Sequence, residues 1–298
     1  TWLLYQLSTG SAVAEFVLAR PEAKLVNYHN VTTAELFAPW EPHVGVELED
    51  GRRQLAELAP VTELAVAVSG HNQSELVEAG YRPTTVAPVL VDLAAFDREV
   101  DARALGELRR TKQGGGSDWL FVGRVSPNKC HHDLIKALAA YRRLYDPHAR
   151  LHLVGGSSSH AYWTTLQRFV AALGLTEAVR LTGAVPLSVL SAHFRAADVF
   201  VCLSEHEGFC VPLLEAMHHR LPIVAFGAAA VPETLAGAGV VLERKDPVTV
   251  AAAVRRVLGD DALRSALVGA GEARLGDFGL ERTRARWLDV FEGLGVAG

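Results

Sequence analysis

No stretch of about eighteen consecutive apolar residues occurs, which excludes a membrane-spanning helix, and the start of the chain lacks the charged segment that opens a secretory signal. Cysteine is scarce. Cys130, Cys202 and Cys210 are the three present; they show no metal-ligand spacing, and their odd number argues for a reducing, cytoplasmic compartment. No Asp-x-Asp element follows a strand, so no divalent ion is expected; no other cofactor is expected either. A dinucleotide fingerprint is absent too, because no strand precedes Gly114–Gly116 and Gly-x-Gly-x-x-Gly is not satisfied. Positive charge is sparse early. Residues 1–100 hold 6 Lys/Arg against 14 Asp/Glu, a net of −8, while the remainder holds 23 against 20, a net of +3. That imbalance argues against a nucleic-acid partner and makes the later half the better home for an anionic ligand.

What is there is an alternation of strand and helix over 298 residues, 49% of them hydrophobic, enough for two cores. Strands are expected at Trp2–Leu7, Lys24–Tyr28 and Leu64–Val68, with a further one at Val86–Leu90 and helices over Ala12–Ala19 and Gln73–Ala79; His71 and Asn72 read as cap and turn residues. Val91–Ser117 reads as a linker with a helical stretch and a mobile glycine tip. From Asp118 the pattern is regular: strands at 119–122, 151–154, 179–182, 199–203, 223–225 and about 240, separated by helices. The expectation is α/β, with parallel doubly wound sheets. Domains are placed at 1–100 and 101–280, with a terminal helix in 281–298 packing back across their junction.

The chain is organised around Ser204–Met217, Ser-Glu-His-Glu-Gly-Phe-Cys-Val-Pro-Leu-Leu-Glu-Ala-Met, which follows a buried strand and opens a helix at Pro212. Gly208 lets backbone approach a ligand, and helix-end N–H groups between Glu207 and Glu215 suit a diphosphate. Two Glu at this spacing alone would read as a solvated helix face. Gly123-Arg124-Val125-Ser126-Pro127-Asn128-Lys129, between a strand and a helix, adds two cations at the same sheet edge; by themselves they would read as a surface pair.

Together these stretches resemble the Glu-x7-Glu and Gly-Arg…Lys elements of the retaining glycosyltransferases of family 4. The resemblance implies the GT-B fold, two Rossmann-like domains facing a cleft. It implies that Arg124 and Lys129 stabilise the departing nucleoside diphosphate, that Glu207 contacts the donor sugar and that Glu215 holds the ribose hydroxyls. Gly208, Phe209, Cys210 and Val211 would line the donor, and Val185, after Gly183-Ala184, would border the base unless that stretch is a plain tight turn. Tyr-His-Asn-Val-Thr-Thr is similar to a family stretch with a His beside the sugar; His29 is thus either a sugar contact or a capping or core residue. The chain departs from the pattern at Cys210, where Gly is usual, and at Pro212, which removes one N–H. The family's first strand and Gly-rich turn have no counterpart, so the N-terminal domain is expected to be incomplete. Glu233, in Ala230–Thr234, reads as a helix-start residue without chemistry.

The implied reaction moves a sugar from a UDP- or GDP-sugar to a glycan, lipid-linked or small-molecule hydroxyl, by front-side attack without a metal. The alternatives are a non-catalytic nucleotide-sugar-binding or partner subunit and, more weakly, a phosphorylase of the same fold. Peripheral contact with the inner face of a membrane fits a lipid-linked acceptor, although the acidic first half offers no basic docking helix.

Overall fold

The computed structural model describes residues 1–295. Its first lobe is a parallel sheet in the order β1-β2-β3-β4, formed by β1 (Trp2–Leu7), β2 (Ala23–Tyr28), β3 (Leu64–Ala67) and β4 (Thr84–Val86). Three helices connect them: α1 (Ala12–Leu18), α2 (Pro42–Leu58) and α3 (Gly70–Glu78). Two short connectors follow, α4 (Ala95–Arg98) and α5 (Ala102–Lys112).

The second lobe holds β5 (Asp118–Val122), β6 (Arg150–Val154), β7 (Val179–Gly183), β8 (Val199–Cys202), β9 (Ile223–Phe226) and β10 (Val240–Leu242). Its strands are parallel in the order β10-β9-β8-β5-β6-β7. Helices α6 (His131–Leu144), α7 (His160–Ala172), α8 (Leu187–Ala196), α9 (Val211–His218) and α10 (Val231–Leu235) alternate with the strands. The chain ends in α11 (Pro247–Gly259), α12 (Asp261–Leu275) and α13 (Leu280–Gly293). Helices cover both faces of this sheet, so its central strands are apolar throughout: Trp119, Leu120, Phe200 and Val201 are all fully buried.

Strand order reverses between β5 and β8, and that reversal fixes the site. At such a point the loops leaving two neighbouring strands diverge and open a crevice at their carboxyl ends. Here the loops are Gly123–Cys130 and Leu203–Cys210.

Several local expectations are corrected. Residues 42–58 form a helix that its composition hides, because charged residues and Gly45 and Gly51 interrupt the apolar stripe. The glycines serve packing: a Cβ on Gly51 would lie 2.7 Å from the nitrogen of Gly10 in the loop after β1. The fourth strand is Thr84–Val86, not Val86–Leu90, because it pairs with Ala65–Ala67 and Pro88 has no N–H to continue the ladder. His71 and Asn72 lie inside α3, whose N-cap is Ser69, its hydroxyl accepting from the Asn72 nitrogen. The Gly114–Gly116 turn is not a free tip, since the Arg150 guanidinium donates to the carbonyls of Gly115 and Gly116.

Helix α13 returns to the first sheet. Trp287, Val290, Phe291 and Leu294 pack on Leu25, Val66 and Ala87, and the Trp287 indole donates to the Pro88 carbonyl at 3.2 Å.

Candidate active site

The two switch-point loops are fastened to each other before any ligand is considered. The Glu205 nitrogen donates to the Asn128 carbonyl at 2.9 Å, and the Ser126 hydroxyl holds the Asn128 side chain at 2.7 Å. Beneath them, Lys245 bridges Asp133 on α6 (2.8 Å) and Glu205 (2.7 Å). This framework brings Lys129 Nζ to 2.6 Å from Glu207 Oε2, with only 18% and 8% of the two side chains exposed. Burial alone would lower the Lys129 pKa; the facing Glu207 carboxylate outweighs it, and the net shift is upward. The ammonium therefore stays charged.

Cys210, with φ of 67°, is the N-cap of α9 and makes no side-chain capping bond. Among its first residues Pro212 has no N–H and the Leu213 nitrogen donates to the Cys210 carbonyl at 3.0 Å, which leaves the Val211 N–H, uncapped by a side chain, at the positive end of the helix dipole. Glu215 lies one turn further along. Its Oε2 is buried without a hydrogen-bond partner, and burial pushes the carboxyl up to about 7.

The first lobe closes directly on this region. His206 Nε2 lies 2.6 Å from Asn30 Oδ1. Burial drops the His206 imidazole to about 4, so it bonds as the neutral ring. Gly208 sits so tightly against the first lobe that a Cβ there would be 2.7 Å from both the His29 carbonyl oxygen and Asn30 Cβ. Glu233 accepts hydrogen bonds from the backbone nitrogens of Gly70 (2.7 Å) and His71 (3.0 Å) at the start of α3. From the sequence, Glu233 reads only as a helix-start residue, Asn30 only as one of the ligand-facing groups past the second strand, and His206 has no assigned role. Each depends on a partner at least 160 positions away, which no local spacing signals.

The residues singled out from the sequence divide accordingly. Lys129 and Glu207 meet, and Gly208 and the His29 backbone meet. Arg124 lies at the head of the same loop, exposed and without an ion-pair partner among the described residues. The His29 ring is occupied by the Asn27 amide at 2.9 Å and by Gln6. Phe209 and Cys210 point inward, contrary to a role of their side chains against the donor. Phe209 packs edge-on against Phe278 with ring centroids 5.2 Å apart, and Cys210 Sγ lies 4.0 Å from Cys202 Sγ. Only their backbones can face a ligand. Val211 opens α9 half-buried. Val185 packs on the second core, next to a cleft of about 480 Å³ lined by Gly156–His160, Trp163, Gly183 and Ala184.

Residues 116–260 match the family described as glycosyl transferases group 1. The match covers just under half of the chain, which is similar to that family over this segment. Among relatives, it is 34% identical over 257 residues to the D-inositol 3-phosphate glycosyltransferase of Geodermatophilus obscurus, covering 80% of this chain and 55% of that one. It is 31% identical to the GDP-mannose-dependent alpha-(1-6)-phosphatidylinositol monomannoside mannosyltransferase of Mycolicibacterium smegmatis, covering 81% and 65%. The chain spans roughly half the length of the first curated relatives it matches, 55%, 42% and 59%. Among solved structures, Anabaena Alr3699/HepE in complex with UDP-glucose aligns with a TM-score of 0.78 at 19% identity, over 94% of this chain and 75% of that one. Sucrose-phosphate synthase from Thermosynechococcus elongatus aligns with 0.78 at 21% identity, over 95% and 71%. These likenesses establish the fold: two facing parallel-sheet lobes, the GT-B architecture. No helix among the described residues is long and apolar enough to cross a membrane.

Proposed function

We propose that the chain carries out retaining, metal-independent transfer of a sugar from a nucleoside-diphosphate sugar to an acceptor hydroxyl. The observation that carries this reading is the Lys129–Glu207 pair, held at 2.6 Å beside the N-terminus of α9 at the switch point of the second sheet. A diphosphate seated there would receive a buried ammonium, the guanidinium of Arg124 and the N–H of Val211 at the helix end, which together would stabilise charge on the leaving group without a metal.

Glu207 Oε2 is engaged by Lys129, so the carboxylate is suited to orient a sugar hydroxyl rather than to attack carbon. Glu215, further along the same helix, keeps a buried oxygen without a partner and would accept from ribose hydroxyls. The cleft bounded by Trp163 and Ala184 offers an aromatic face and serine hydroxyls to the base. Residues 1–100 would present the acceptor, with His29 and Gln6 at the donor's sugar end; residues 101–280 would hold the donor, and 281–298 would tie the two together. Relatives named for GDP-mannose and neighbours solved with UDP or UDP-glucose support a UDP- or GDP-sugar. A relative acting on a phosphatidylinositol mannoside supports lipid-linked acceptors beside glycans and small molecules.

The test is transfer from a panel of UDP- and GDP-sugars in the presence of EDTA, with the anomeric configuration of the product read by NMR. Retention with full turnover in EDTA is expected, and loss of turnover in Lys129→Ala and Glu207→Ala. Inversion or a strict metal requirement would overturn those parts of the reading. Donor binding without hydrolysis or transfer would favour a non-catalytic binding subunit instead.

A further inference from the structure

Two thiols lie directly beneath the loop that carries Glu207. Cys202 ends β8 and Cys210 caps α9; both are buried, with their sulfurs 4.0 Å apart. A Glu207 carboxylate oxygen completes the group, and the ligand atoms of all three residues fall within 4.8 Å of one another. The Ser204 hydroxyl stands 3.4 Å from Cys202 Sγ. Cys210 also occupies left-handed backbone, φ 67°, where a glycine would sit without strain. A side chain kept there against that cost invites a reason.

We propose that Cys202, Cys210 and Glu207 form a binding site for zinc(II), which holds the donor loop in an unproductive state. A tetrahedral zinc with Zn–S bonds of about 2.3 Å separates its sulfurs by roughly 3.8 Å, so the observed spacing needs only a small contraction. Thiolates select zinc over magnesium or calcium, which prefer oxygen. Charge also closes: the negative charges of two thiolates and a carboxylate are balanced by the divalent ion and the Lys129 ammonium, which already faces Glu207. Binding sends the two thiol protons to solvent, so affinity rises with pH. Since Glu207 cannot serve zinc and a donor sugar together, the ion and the donor compete. That last step rests on the proposed function; the binding of zinc does not.

The experiment titrates the full reduced chain with cobalt(II), reading the thiolate-to-cobalt charge-transfer band, and then displaces cobalt with zinc. One equivalent per chain is expected, with the band lost in Cys202→Ala and in Cys210→Gly, the latter chosen because glycine relieves the backbone at that position. Cys130→Ser must keep the band, since Cys130, His132 and Asp133 form a second group of closely spaced ligand atoms. No band, a band that survives Cys202→Ala, or one lost with Cys130→Ser overturns the proposal. So does mass spectrometry showing that peroxide joins Cys202 to Cys210 in a chain that takes up no cobalt, which makes the pair a redox device. Donor affinity measured with and without zinc completes the test. A metal band in a protein that binds no donor even when freed of metal keeps this site and removes the transferase reading, whereas donor turnover without a band does the reverse.

Discussion

The Glu233 carboxylate reaches across the cleft to the backbone nitrogen of Gly70, 2.7 Å away, and so caps a helix of the opposite lobe. The contact joins residues 163 positions apart and acts where the α3 dipole is positive. Glu233→Ala should leave both cores intact and release this latch. The expected cost is about 1 kcal/mol net, a fall in Tm of about 2–4 °C for a chain of this size. The radius of gyration of the ligand-free protein should rise, as measured by small-angle X-ray scattering. An unchanged scattering profile would show that other contacts, such as His206–Asn30, suffice to keep the lobes closed.

The Lys129–Glu207 pair separates stability from chemistry. Because both groups are largely buried, Lys129→Met should strand a carboxylate and Glu207→Gln an ammonium, each costing about 3–5 kcal/mol. The double variant Lys129→Met/Glu207→Gln removes both charges and should recover most of that loss. Turnover should stay abolished in all three. Urea denaturation alongside donor-turnover assays checks this, and a double variant as unstable as the sum of the singles would contradict the pairing seen here.

These contacts show how unevenly the sequence speaks. The strands of the second lobe were legible because a sheet covered on both faces writes short apolar runs, as at Val199–Cys202. The Glu207 and Lys129 loops were legible because Gly and Pro mark where strands end. Helix α2 was not, since its buried face uses Gly45 and Gly51 and its exposed face is charged. The inward turn of Phe209 was hidden as well: its partner Phe278 lies far along the chain, and nothing local distinguishes a core aromatic from a ligand-facing one.

Glu215 should give stability a pH dependence of unusual sign. Its carboxyl is pushed up to about 7 by burial. Between the ordinary carboxylate range and that value, the folded protein keeps a proton that the unfolded chain releases. Stability attributable to this group is therefore fully present at low pH and falls as pH rises through that window, levelling off above it. Denaturation midpoints from about pH 4.5 to 8 should show the decline, and Glu215→Gln should flatten it. If the ionised carboxylate accepts from ribose hydroxyls, nucleoside-diphosphate affinity should rise over the same interval. A Gln variant with the wild-type pH profile would assign the decline to another group.

Arg124 is the converse of Lys129. It is exposed and has no ion-pair partner among the described residues, so Arg124→Ala should change folding stability by no more than about 0.5 kcal/mol. Yet it stands at the head of the loop that ends in Lys129, on the rim where a diphosphate would sit, and a guanidinium there gains its partner only when the ligand arrives. Removing it should weaken UDP or GDP binding by about tenfold, equivalent to ~1.4 kcal/mol, and should make the remaining affinity less sensitive to salt, because an exposed charge is screened within about 10 Å at 0.1 M ionic strength. Arg124→Lys should fall between, keeping the charge while losing the planar fork that grips two phosphate oxygens. Calorimetric titration of each variant at two ionic strengths separates these effects. Wild-type affinity and wild-type salt dependence in Arg124→Ala would remove Arg124 from the site and leave the leaving group to Lys129 and the α9 N-terminus.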